Sequence, residues 1–82
     1  MTLQELLVII DDDLPLLIEC CTIFSDGSYI SSTLDCYKTD FLQSPRYAEY
    51  RKHLNCKVIH LSEGEWEDYS MCLAIQVENL KE

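Results

Sequence analysis

Leu3, Leu6, Leu7 and Ile10 recur at helical spacing, and Thr2–Leu3–Gln4–Glu5 ahead of them has the form of a capping box. The pattern predicts a short amphipathic helix over residues 3–10. Asp11, Asp12, Asp13 and Pro15 end it, because aspartate competes for backbone donors and proline keeps the preceding residue out of the helical region. Residues 16–25 are rich in β-formers. As a strand they place Ile18, Cys20, Thr22 and Phe24 on one face and Leu17, Glu19, Cys21 and Ile23 on the other. Asp26–Gly27 signals a hairpin into a second strand around Ser28–Thr33. Leu34–Gln43 carries no decisive period. Ser44–Pro45 reads as the cap and first residue of a second helix to about Leu54, with Tyr47, Tyr50 and Leu54 on its sheet-facing side and Asn55 as its stop. Cys56–Ser62 reads as a third strand and Glu63–Gly64 as a turn. Ser70–Glu78 reads as a fourth strand, with Met71, Leu73, Ile75 and Val77 alternating. The order αββαββ predicts a small α+β domain: a largely antiparallel four-stranded sheet with two short helices.

At 82 residues the chain is expected to form one domain over residues 1–82, near the lower size limit for a self-sufficient core. A hydrophobic share of 48% with two prolines and two glycines excludes a disordered or collagen-like chain. Apolar runs such as Leu6–Ile10 fall far short of the roughly 20 residues that cross a bilayer. Met1–Glu5 offers no positively charged start for a signal peptide, so a cytoplasmic location is the expectation.

The charges are segregated. Residues 1–35 hold Glu5, Asp11, Asp12, Asp13, Glu19, Asp26 and Asp35 with no Lys or Arg, a total of −7. Residues 36–62 carry Lys38, Arg46, Arg51, Lys52 and Lys57 against Asp40 and Glu49, a total of +3. Residues 63–82 carry Glu63, Glu65, Glu67, Asp68, Glu78 and Glu82 against Lys81, a total of −5, which recovers the net −9. Such a balance argues against direct binding of nucleic acid or of an anionic membrane, both of which require basic side chains. It favours a basic protein partner. The expected contact set is Asp11, Asp12, Asp13, Glu63, Glu65, Glu67 and Asp68, standing in for backbone phosphates, with Trp66 as an apolar anchor among the acids. The competing reading of the charge is solubility, and that of Trp66 is a ring folded back onto the sheet edge.

Five cysteines, an odd number with no secretory signal before them, argue against a complete disulfide framework. Cys20 and Cys72, mid-strand among apolar neighbours, suit small buried hydrophobes. The competing reading is structural zinc. His53-x-x-Cys56 joins the end of the second helix to the third strand, and Cys36 with Cys21 (or Cys20) would complete a tetrahedral set. His60, four residues after Cys56, is a substitute ligand. There is no Cys-x-x-Cys pair. A Zn2+ ion would also support a core this small.

Catalysis finds little support. Cysteine and histidine are both present, but no glycine-rich phosphate cradle or oxyanion hole is evident, and Asp11–Asp13 lacks the spacing of a calcium loop. The expectation is a protein that is not an enzyme.

The run Met-Thr-Leu-Gln-Glu-Leu-Leu, an acidic turn, a strand and an Asp-Gly hairpin, over roughly residues 1–30, resembles the opening of small acidic proteins from phages and mobile elements of Gram-positive bacteria. Some of those are anti-CRISPR inhibitors that bind Cas effectors. The resemblance implies an inhibitor that docks on a basic, nucleic-acid-handling effector such as a Cas protein and blocks its nucleic-acid loading. The alternative is a small zinc-stabilised adaptor whose acidity serves solubility alone.

Overall fold

A computed structural model describes residues 1–68 and 70–82. Helix α1 (Leu3–Ile9) opens the chain. The Thr2 side chain accepts from the Glu5 N–H while the Glu5 carboxylate accepts from the Thr2 N–H, so the predicted capping box forms in full. Leu3, Leu6 and Leu7 are buried. Strands β1 (Leu16–Ile23) and β2 (Tyr29–Cys36) form an antiparallel hairpin around Asp26–Gly27, where Gly27 takes φ +89° and the Asp26 carboxylate accepts from the Ser28 N–H. The stretch without a decisive period resolves into the end of β2 and a short helix α2 (Lys38–Gln43).

Pro45–Asn55 is helical as predicted, and the Ser44 side chain accepts from the Arg46 N–H at its start. It winds as a 3-10 helix rather than an α-helix, which changes its buried face. At three residues per turn Tyr47, Tyr50, His53 and Cys56 line up, whereas an α-helical spiral would carry Leu54 in place of His53. Tyr47, His53 and Cys56 are buried accordingly, and Leu54 is only half-buried.

Strands β3 (Val58–Glu65) and β4 (Met71–Val77) form a second antiparallel hairpin, and β5 (Leu80–Lys81) follows. The expected Glu63–Gly64 turn is overturned: β3 runs on through both residues. Gly64 serves close packing there, since a Cβ would sit 3.1 Å from Cys72 Sγ and 3.3 Å from Ala74 Cβ. The chain reverses beyond Trp66, whose N–H donates to the Ser70 carbonyl.

The sheet order is β2-β1-β4-β3, with β5 also on β1. The α+β class holds, but the sheet has five strands and is mixed. β1 runs parallel to both β4 and β5, so two antiparallel hairpins are welded through a parallel centre. Glu78 and Asn79 interrupt the line of β4 before β5 resumes along the same side of β1. The core lies between the sheet and the helical layer, on the face carrying Leu16, Ile18, Cys20, Leu34, Ile75 and Val77, with Leu3, Leu7, Phe41 and Tyr47 packed onto it. Tyr47 also donates its hydroxyl to the Asp35 carbonyl, and Arg51 donates to the carbonyls of Phe41 and Ser44, which ties α2 to the 3-10 helix. No helix among the described residues is long and apolar enough to cross a membrane.

Candidate functional site

The parallel pairing of β1 and β4 decides where the acidic residues go. Leu16 stands opposite Leu73, and Glu65 opposite Met71, so β1 begins, β4 begins and β3 ends at one end of the sheet. The Leu73 N–H donates to the Pro15 carbonyl there. Asp11–Asp13, just before β1, and Glu63–Asp68, closing β3, are thereby gathered at that end although some 50 residues separate them in the chain. All seven acidic residues of the predicted contact set are exposed. Hydrogen bonds from the Ser70 hydroxyl and N–H hold the Asp68 carboxyl below the ordinary range.

The cations scarcely neutralise this end. Among the described residues two ion pairs form, Lys38–Asp12 and Lys52–Glu82, each at 2.9 Å. Lys38 also donates to the Ile10 carbonyl and so anchors the loop that carries the aspartates. Arg46 lies over the Tyr47 ring, 5.6 Å from its centroid. Asp11, Asp13, Glu63, Glu65 and Glu67 have no cation within ion-pairing distance among the described residues.

Beside these carboxylates is an open groove of about 450 Å³ between the α1–β1 loop and the second hairpin. Leu14, Leu61, Met71 and Leu73 supply its apolar surface, and Glu63 stands in its wall. Leu61 and Met71 are 46% and 57% exposed, high values for two apolar side chains lining one groove. They lie there because β3 is an edge strand beyond the reach of the helical layer: most of its residues are exposed.

Trp66 is half-buried and engaged within the fold. Its indole N–H donates to the Leu16 carbonyl at 3.0 Å, and its ring meets Tyr37 edge-on with centroids 5.2 Å apart. The ring clamps the tip of the second hairpin to the start of β1.

The proposed metal ligands come together only in part. His53 Nδ1 lies 3.9 Å from Cys56 Sγ, and His53 Nε2 lies 3.4 Å from the Thr22 hydroxyl. Burial pushes the His53 pKa down, with Lys52 nearby acting in the same direction. Cys36 is buried in the core, and burial pushes its thiol up to about 12. Cys21 projects from the opposite face of β1 to Cys20 and Thr22, so Cys20 and not Cys21 shares the His53 side of the sheet. Among the described residues no group of three or more His, Cys, Asp or Glu side chains converges closely enough to hold a metal ion.

Periodicity alone does not reveal the groove. Its signal was present in the alternation that includes Met71 and Leu73, but which of those residues the helices leave uncovered depends on layer geometry. Comparison with protein families, with curated proteins and with solved structures finds no match to this chain.

Proposed function

We propose that this protein is a non-enzymatic binding protein that docks its acidic end on a basic surface of a nucleic-acid-handling protein and competes there with nucleic acid. The supporting observation is the gathering of Asp11–Asp13 and Glu63–Asp68 at one end of the sheet by the parallel β1–β4 pairing. Carboxylates grouped on one surface attract a cationic groove at long range and speed encounter, and they occupy the positions that phosphates would take. The resemblance of the first 30 residues names an anti-CRISPR-like inhibitor, with a Cas effector as the basic partner. Testing this reading takes immobilised protein, a bacterial lysate and a salt gradient, with Asp13, Glu65 and Glu67 each changed to lysine in a control whose fold is checked by circular dichroism. Basic nucleic-acid-handling proteins should be retained by the native protein, leave as salt rises, and pass through the control column. Equal retention by the folded triple variant overturns the reading.

A second reading, a zinc-stabilised adaptor, is favoured by the contact between His53 and Cys56. It requires a third and fourth ligand to close on that pair, and Cys20 shares the His53 side of the sheet. Elemental analysis of protein purified without a metal column decides it: one zinc per chain, with a melting temperature lowered by chelator, supports the adaptor. Metal-free protein that melts identically with and without chelator removes it.

A further inference from the structure

We propose that the groove between Leu14 and edge strand β3 seats an aliphatic side chain of a lysine- or arginine-rich segment of the partner, whose flanking cations reach Glu63 and Asp13. This rests on the acidic-docking reading above and names what that surface recognises. The groove brings two chemistries together. Its apolar surface is Leu14, Leu61, Met71 and Leu73, while Glu63 lies in its wall and Asp13 directly precedes Leu14 in the chain. Neither carboxylate has an intramolecular cation among the described residues.

Charge complementarity selects the occupant. An apolar side chain alone would leave the carboxylates unanswered. A second copy docked two-fold through this groove would bring Glu63, Glu65 and Glu67 near their own counterparts, a like-charge contact that disfavours association. A cationic segment with one aliphatic anchor satisfies both features. Met71 suits such a surface, because an unbranched thioether adapts to anchors of different shape. The acids of β3 and the register shift between Val58 and His60 also guard the edge against pairing with another copy. Met1 and Thr2 cover only the start of that edge, through the Val58 N–H to Met1 carbonyl bond and the Thr2–Lys57 bridge.

The experiment follows backbone amide NMR shifts of the full chain during titration with two capped peptides, Lys-Lys-Leu-Lys-Lys and the same sequence with glycine replacing leucine. The leucine peptide should shift Leu61, Glu63, Met71 and Leu73. The glycine peptide should bind about tenfold more weakly and leave Leu61 and Met71 unmoved. L61S and M71S alter exposed side chains and so keep the fold, and each should lower affinity for the leucine peptide to the level of the glycine peptide. Equal binding of both peptides, with shifts confined to the aspartate loop and the β3–β4 connection, overturns the groove and leaves acidic docking standing. Absence of binding by either peptide, and by a basic protein in the lysate experiment, overturns both. A dimer in sedimentation that L61S dissolves, with no peptide response at Leu61 or Met71, also overturns the proposal, since a second copy would then cover the groove.

Discussion

The indole N–H of Trp66 donates a 3.0 Å hydrogen bond to the carbonyl oxygen of Leu16, across a sequence separation of 50 residues. That bond adds a side-chain tie at the end of the sheet where the β1–β4 pairing gathers the two acidic segments, because Leu16 follows the aspartate loop and Trp66 lies within the glutamate cluster. Like charges placed this close repel, so the clamp opposes a cost that the net charge of −9 imposes.

Trp66→Phe should therefore cost about 1 kcal/mol, the net value of one hydrogen bond, since phenylalanine keeps the ring against Tyr37 but has no donor. Trp66→Ala should cost about 2 kcal/mol or more, because the packing goes too. Urea unfolding of the two variants gives both values.

Gly64 is expected to be intolerant of larger side chains. Replacing glycine in a strand normally stabilises by restricting the unfolded chain, but here a Cβ meets Cys72 Sγ at 3.1 Å and Ala74 Cβ at 3.3 Å. Overpacking of this kind costs about 1–3 kcal/mol and outweighs the gain, so Gly64→Val should lower the urea midpoint. Pairing it with Cys72→Ala should restore part of the loss, which a double-mutant cycle would quantify.

Stability should fall as pH drops below about 6.5, the ordinary histidine value, and His53 is the cause. Its side chain is 2% exposed, and burial foremost, with Lys52, depresses its pKa in the fold. Below 6.5 the unfolded chain takes up the proton first, so the unfolded state gains and folding weakens until the depressed folded value is passed. The groups facing His53 are the Thr22 hydroxyl and the Cys56 thiol, with the Glu82 carboxylate acting weakly in the opposite sense. Chemical denaturation at pH 7.5 and 5.5 checks this. His53→Gln should remove most of the difference between the two pH values, at lower stability overall.

Iodoacetamide should alkylate one thiol of the native protein well ahead of the other four. Cys20, Cys36, Cys56 and Cys72 are all buried, and burial pushes the Cys20 thiol up to about 11 and the Cys36 thiol to about 12. Cys21, half-buried on the helix-free face, is the accessible one. Peptide mass mapping after brief labelling should place the adduct on Cys21, and denaturant should release the remaining four sites.

Local chemistry was legible in the sequence. The Thr2–Glu5 capping box, the Asp26–Gly27 reversal and the alternation of β1 depend on residues within a few positions of one another, so their patterns survive without knowledge of the fold. Gly64 and His53 were not legible in this way. Gly64 carries the same residue type whether it turns the chain or admits close packing, and only the position of Cys72 and Ala74 distinguishes the two. His53 replaced Leu54 on the buried face because the helix winds at three residues per turn, a choice the flanking residues leave open. The acidic end itself divides along the same line. Two clusters of carboxylates are written in the chain, but a sequence cannot say whether they face apart or together. The parallel register of Leu16 with Leu73 places them together, and the short reach of the helical layer leaves Leu61 and Met71 uncovered beside them, because both are matters of how whole strands and layers pack.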